Sequence, residues 1–213
     1  GAQNLTGNLQ FDSELVTAYE LGAKLDLPGF TLSAAIFRQD FENFQLNTFD
    51  GSVFIVQTTN GCSTDLAGAD RDTSAATGAC NPDDITWGVR SEGVELEASL
   101  RPARNFVVGM GITYSNTRYN DNLVGDASGA PLNPALRKLP GDNMSNAPEW
   151  VATGSVAWPP DNGDSGMSGL LYLDTRMTGG YNTGSDLFPQ KEQPGYTIVN
   201  GRIGLRGPDQ NWA

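Results

Sequence analysis

The chain has 213 residues, 38% hydrophobic and 18% charged, with no histidine and a formal net charge of −12. No run of about 18 consecutive apolar residues occurs, which excludes a helical membrane protein. The missing histidine excludes Ser-His-Asp and Cys-His catalysis, and an acidic chain without a basic stripe is not expected to bind nucleic acid. Glycine is abundant and scattered through the apolar segments, where each one costs a helix about 1 kcal/mol. The expectation is therefore an all-β chain.

Seven segments alternate with the period of two that places successive side chains on opposite faces of a strand. In the first, Tyr19, Leu21, Ala23, Leu25 and Leu27 oppose Glu20, Gly22, Lys24 and Asp26. In the second, Phe30, Leu32, Ala34 and Ile36 share a face, which turns polar at Arg38, Asp40 and Glu42 as if the strand had climbed out of an apolar layer. The third sets Val94, Leu96, Ala98 and Leu100 against Gly93, Glu95, Glu97 and Ser99, and the fourth sets Phe106, Val108, Met110, Ile112 and Tyr114 against Val107, Gly109, Gly111, Thr113 and Ser115. The fifth runs through Trp150, Ala152, Gly154, Val156 and Trp158, the sixth through Leu171, Leu173 and Met177, and the last through Thr197, Val199, Ile203 and Leu205.

Two features point to a membrane rather than a soluble sandwich. Trp150 and Trp158 lie on one face, roughly 27 Å apart along a strand; with the usual tilt that is roughly 20 Å of height, close to the apolar band and aromatic girdles of an outer-membrane barrel. The connections also alternate. Short turns at Leu27-Pro28-Gly29, Arg101-Pro102-Ala103-Arg104 and Pro159 to Gly166 are separated by the long segments Asp50 to Asp84, Asn120 to Ala147, and Asn182 to Pro194. Short turns on one rim and long loops on the other are the habit of such barrels.

Both cysteines, Cys62 and Cys80, fall in the first long segment. A disulfide in an oxidising compartment is expected there, constraining its loop by about 3 kcal/mol in the chain-entropy model. A metal pair lacks further ligands. The same segment carries Asp65, Asp70, Asp72, Asp83 and Asp84 against Arg71; the spacing matches no complete Ca²⁺ loop and reads as solvated acid. The charges on the polar face, among them Glu20, Lys24, Glu95, Glu97, Asp174, Arg176 and Arg202, have mixed signs. They are expected to pair across strands or meet a plug rather than form a selective filter.

Seven strands do not close a bacterial barrel, so the expectation is a section of a longer wall. The motifs resemble TonB-dependent receptors, in the C-terminal part of their β-barrel. Tyr19-Glu20-Leu21-Gly22-Ala23-Lys24, Ala34-Ala35-Ile36-Phe37 with Phe41 and Phe44-Gln45, and Gly93-Val94-Glu95-Leu96-Glu97 carry the resemblance. Asn146-Ala147-Pro148-Glu149-Trp150 and Tyr196 to Gly204, with Asn200 and Arg202, extend it. It implies an antiparallel transmembrane β-barrel of 22 strands, of which residues 1–213 are one part, with the plug and most N-terminal strands absent. The implied job is import across the outer membrane of a scarce nutrient such as a ferric siderophore, energised through TonB. The implied partners are the lipid bilayer, the TonB complex through the missing regions, and a small-molecule or metal-chelate ligand. Neither catalysis nor a resident cofactor or metal is expected. Trp87, Arg137, Lys138, Tyr181 and Phe188, near the long-loop rim, are the candidates for ligand contact; Trp150 and Trp158 are the candidate aromatic girdle. A passive porin or adhesion barrel and a soluble all-β binding module are the alternatives.

Overall fold

The computed structural model describes residues 12–49, 54–66, 78–160 and 166–208, with only the backbone at 48, 49 and 55. In chain order its strands are β1 (Leu15–Leu27), β2 (Phe30–Glu42), β3 (Phe44–Phe49), β4 (Phe54–Cys62), β5 (Ile85–Thr86) and β6 (Val89–Ala103). There follow β7 (Phe106–Tyr119), β8 (Leu123–Val124), β9 (Trp150–Trp158), β10 (Ser168–Thr178), β11 (Tyr181–Asn182), β12 (Glu192–Gln193) and β13 (Tyr196–Arg206). The seven long strands make one antiparallel sheet in the order β1-β2-β6-β7-β9-β10-β13, with β1 and β13 as its edges among the described residues. These are the seven strands expected from the alternation. Asp70, Arg71 and Asp72 of the acidic segment, and most of the turn after Pro160, lie outside the described residues.

The register carries the alternation across the whole sheet. Leu25 pairs with Leu32, Ile36 with Val94, Leu96 with Ile112, Val108 with Val156, and Leu171 with both Trp158 and Ile203. One face is therefore continuously apolar, and its side chains are open to the surroundings on the inner strands too: Ile36 is 53% and Met110 57% exposed. At about 25 cal/mol per Å², that much aliphatic surface needs an apolar medium against it. Aromatic pairs bracket this face along β7 and β9. Tyr114 lies against Trp150 with ring centroids 4.7 Å apart, and Phe106 meets Trp158 edge to face at 6.4 Å. The opposite face carries Lys24, Ser33, Glu97, Gly109, Thr153 and Asp174.

Towards the long-loop end the two faces exchange character. On the outward face, above Ile36, Val94 and Tyr114, come Arg38, Asp40 and Arg90. Asp40 accepts from Arg38 at 2.9 Å and from Arg90 at 2.6 Å, and the Arg90 guanidinium lies 3.9 Å over the ring of Trp87. On the inward face, Phe41, Val89 and Tyr119 join a buried cluster with Leu46, Leu123, Leu132, Leu136, Leu139 and Leu187. A wall that leaves lipid for water must do this: the outside becomes wet and the apolar residues move to a conventional core.

That core belongs to a cap folded from the long connections. β3 and β4 form a hairpin, and β4 goes on to pair β5 and β8. The first long segment thus contains a strand, β4, that the alternation did not reveal, and β3 and β5 flank it. The expected disulfide is formed: Cys62 and Cys80, with Cα atoms 6.0 Å apart, are buried beside Leu66 and Val124. One turn also differs from expectation. β6 runs through Pro102 to Ala103 with a register irregularity after Leu100, and the turn is Arg104-Asn105, Asn105 having φ 62°. Proline has no N–H for the ladder and is tolerated at such a bulge.

Candidate functional site

Two concave regions lie on the inward side. The first, of about 720 Å³, is a furrow along the polar face between Lys24, Glu97, Gly111, Thr153, Tyr172 and Arg176. Its depth comes from Gly109 and Gly111: a Cβ at these positions would stand 2.7 Å from the Ser155 hydroxyl and 2.8 Å from that of Thr153. The charges along it do not pair as expected. Lys24 faces Ser33, and Ser33 faces Glu97, so a full strand separates the two ions. Arg176 lies between Thr153 and Ile198, and Asp174 accepts from the Asn200 amide at 2.9 Å. No ion pair links the charged residues of this face among the described residues, because the register puts hydroxyls, amides and apolar groups opposite them.

The second region is a groove of about 630 Å³ at the rim, between the β7–β9 loop and the β10–β13 loop. β10 ends at Thr178, and Gly179-Gly180 lead into β11, which pairs with β12 through Tyr181 to Gln193 and Asn182 to Glu192. The Asn182 side chain ties this excursion together, donating to the Phe188 carbonyl at 2.9 Å and accepting from Gly184 N–H at 2.9 Å. Asp186, only 5% exposed, is held by Lys191 at 2.6 Å. The facing loop is anchored by Asn146 N–H donating to the Asn182 carbonyl at 2.8 Å and by the Asn143 amide donating to Glu149 at 2.8 Å. Tyr181 lines the groove; desolvation first, and the neighbouring Tyr196 second, raise its hydroxyl above the ordinary tyrosine range. Tyr119, fully buried in the cap core, is pushed up by burial and stays neutral.

The rim candidates fall into separate places. Tyr181 lines the groove, and Phe188 and Lys138 stand together nearby, the ammonium 5.4 Å from the ring centroid. Trp87 belongs to the outward ionic cluster with Arg90. Arg137 caps the short 3-10 turn Pro134–Leu136 and is not part of the groove. Asp142, Asn143, Glu192 and Gln193 do line it and carry no sequence mark beyond polarity. Trp150 and Trp158 are both outward and half exposed at opposite ends of β9. No group of acidic or sulfur ligands able to hold a metal occurs among the described residues.

A family model described as TonB dependent receptor-like, beta-barrel, matches residues 1–212. No curated protein matches the chain. Among solved structures, the chain is similar to FyuA, the ferric yersiniabactin uptake receptor of Yersinia pestis, with a TM-score of 0.64 at 18% identity over 93% of this chain and 23% of that one. It is also similar to the FrpB iron transporter of Neisseria meningitidis (TM-score 0.51, 14% identity, 91% of this chain and 24% of that one). The ferric enterobactin receptor PfeA of Pseudomonas aeruginosa gives 0.52 at 13% identity over 94% and 24%. The chain thus spans about a quarter of the length of these structures, and the likeness is one of fold.

Proposed function

Because the chain belongs to the TonB-dependent receptor β-barrel family, we propose that it is wall and extracellular cap of an outer-membrane receptor that imports a scarce nutrient. In this reading residues 1–213 are part of a single barrel domain. The nutrient is bound at the loop rim and lumen, and entry is energised through TonB. The observation that carries the reading is the exchange of polarity along the sheet. An apolar face bracketed by Trp150 and Trp158 suits the hydrocarbon layer. Beyond it, an outward ionic cluster and an inward Leu-rich cap suit water. A structured cap suits selective capture, because loops on a rigid scaffold are where binding residues are placed. A passive porin shares the wall but has no use for energy coupling.

The three similar structures are a ferric yersiniabactin uptake receptor, an iron transporter and a ferric enterobactin receptor, so an iron chelate is the first nutrient to test. The test uses the full-length protein in an outer membrane. Uptake of radio-iron from ferric siderophores, or another nutrient that supports growth, is compared in strains with and without TonB. The expected result is uptake that disappears without TonB, from a purified barrel that conducts no steady current. Steady conductance with TonB-independent uptake overturns the reading in favour of a passive porin.

A further inference from the structure

The excursion between β10 and β13 is bonded within itself more than to its surroundings. Thr183 N–H donates to the Lys191 carbonyl at 2.9 Å, Lys191 N–H to the Phe188 carbonyl at 3.0 Å, and the Lys191 ammonium to the buried Asp186 at 2.6 Å. The β11–β12 pair and the two bonds of the Asn182 side chain complete one self-contained body. Among the described residues, a single backbone hydrogen bond joins this body to the facing loop, from Asn146 N–H to the Asn182 carbonyl. Leu187 is its one member of the buried cap cluster among the described residues. It enters that cluster in the left-handed conformation, at φ 53°, which a bulky side chain disfavours. The neck of the body is glycine: Gly179 and Gly180 lead in and Gly195 leads out. A Cβ on Gly195 would stand 3.0 Å from the Thr178 carbonyl oxygen and 3.3 Å from Gly180 N. Backbone of this kind can absorb a φ/ψ change without driving a side chain into its neighbour.

From this we propose that residues 181–194 are a hinged flap that opens and closes the rim groove as one body, with Leu187 as its latch. The flap turns on Gly179, Gly180 and Gly195. One wall of the groove belongs to it, through Tyr181 and Gln193, and the other to the β7–β9 loop, through Asp142 and Met144. That loop is fixed to the wall by Met144 N–H, which donates to the Thr117 carbonyl at 2.8 Å, so the flap is the side that moves. Opening breaks the Asn146–Asn182 bond, parts Phe188 from Lys138, draws Leu187 out of the cap and widens a space of about 630 Å³. The bonds inside the flap and the β10–β13 ladder beneath it survive. Few contacts hold the closed state, and Leu187 is released from its left-handed conformation on opening, so the open state is reached without unfolding the cap. The inference concerns the motion of the loop and depends on neither the cargo nor energy coupling.

The experiment is hydrogen–deuterium exchange of the full-length protein in detergent, read at single amides, on the parent and on Leu187→Ala and Leu136→Ala. Leu136 lies in the same buried cluster but outside the flap. In the parent, the Asn146 amide is expected to exchange faster than those of Thr183 and Lys191, because a flap that moves as a body carries the latter two with their bonds intact. Leu187→Ala should speed Asn146 about thirtyfold, the scale of a buried leucine cut to alanine. It should change Thr183, Lys191 and Met144 by less than about threefold, since their bonds stay closed in the open state. Leu136→Ala should instead speed the Leu139 amide, which donates to the Leu136 carbonyl, at least as much as Asn146. Retention of the gel mobility shift on heating shows that each variant is folded. Thr183 and Lys191 accelerated together with Asn146 mean that the loop unfolds instead of swinging, and overturn the proposal. Acceleration of Met144 with Asn146 overturns it too, because the facing loop then moves. So does an Asn146 amide indifferent to Leu187→Ala, or one that Leu136→Ala speeds just as selectively. Uptake and conductance play no part in the measurement, so failure of the flap leaves the receptor reading standing.

Discussion

Asp126 and Gly129, three residues apart in the β7–β9 loop, show how single residues hold the cap. One carboxylate oxygen of Asp126 accepts from Ser128 N–H at 2.8 Å, from the Ser128 hydroxyl at 2.7 Å and from Ala130 N–H at 3.2 Å. The turn so formed carries Gly129 at φ 80°, pressed against the Cys80 carbonyl, and the Gly129 carbonyl accepts from Cys80 N–H at 2.9 Å. Only glycine takes that conformation without strain and also leaves room for the neighbouring backbone. Gly129→Ala is expected to destabilise the cap by about 1–3 kcal/mol, read as a lower urea midpoint for cap unfolding in detergent. Asp126 gives a pH dependence. Partial burial works to raise its pKa, but the Ser128 hydroxyl and the backbone N–H groups outweigh it and hold the carboxyl below its ordinary value. Its stabilisation is present above the unfolded carboxylate pKa of about 4 and is lost as pH falls through the lower folded value. Asp126→Ala should therefore weaken the cap at neutral pH and make its stability less sensitive to acid. An unchanged acid dependence would remove Asp126 from the explanation.

At the scale of elements, the wall and the cap differ in how much of them the sequence discloses. The seven wall strands were legible because lipid on one side and a polar interior on the other impose a strict period of two, as in Val94-Glu95-Leu96-Glu97. β3 and β4 were not. They lie outside the apolar layer, and Val53-Phe54-Ile55-Val56 shows no alternation. The cap core was equally hidden: Leu123, Leu132, Leu136 and Leu139 are spaced irregularly through a segment with almost no regular structure. Of the groove, Tyr181 was legible as an aromatic at the rim, whereas Asp142, Glu192 and Gln193 looked like any solvated loop. The cysteines were the exception, since two in one polar loop of a chain without histidine leave little besides a bond between them. Their disulfide ties the end of β4 to the strand-and-turn segment before β6. Cys62→Ser with Cys80→Ser is expected to cost the cap about 3 kcal/mol in the chain-entropy model and to leave the wall intact. Limited proteolysis should then cut within residues 62–80 while the sheet stays protected. Equal resistance of parent and variant would show that the buried Leu66 and Val124 hold the cap without the bond.

At the scale of the molecule, the apolar face acts as an instruction about which solvent belongs where. A soluble sheet hides its aliphatic face under a second layer, but here nothing among the described residues covers Leu21, Met110, Leu173 or Ile203, while the cap encloses its own leucines completely. The same chain thus buries a cluster of leucines in the cap, where, among the described residues, only Phe54 and Val56 of β4 stand out as exposed apolar side chains, and leaves a whole apolar face bare where the wall stands. Only a second, apolar solvent reconciles the two. A substitution therefore has a cost set by face and height. Met110, on the outward face of β7 near the middle of the band, is 57% exposed. Met110→Arg places a charge in hydrocarbon and is expected to cost about 2–4 kcal/mol. Thr113, three residues along the strand and on the inward face, should accept lysine at little cost, since polar-face positions have access to water. Arg38, on the outward face but within the ionic cluster, should accept lysine at less than 1 kcal/mol, the usual scale of an exposed ion pair. Folding equilibria in lipid vesicles, measured by denaturant titration of the full-length protein, separate these variants. Comparable losses at Met110 and Thr113 would show that both faces meet the same medium, and the sheet would then have to be covered by protein instead of lipid.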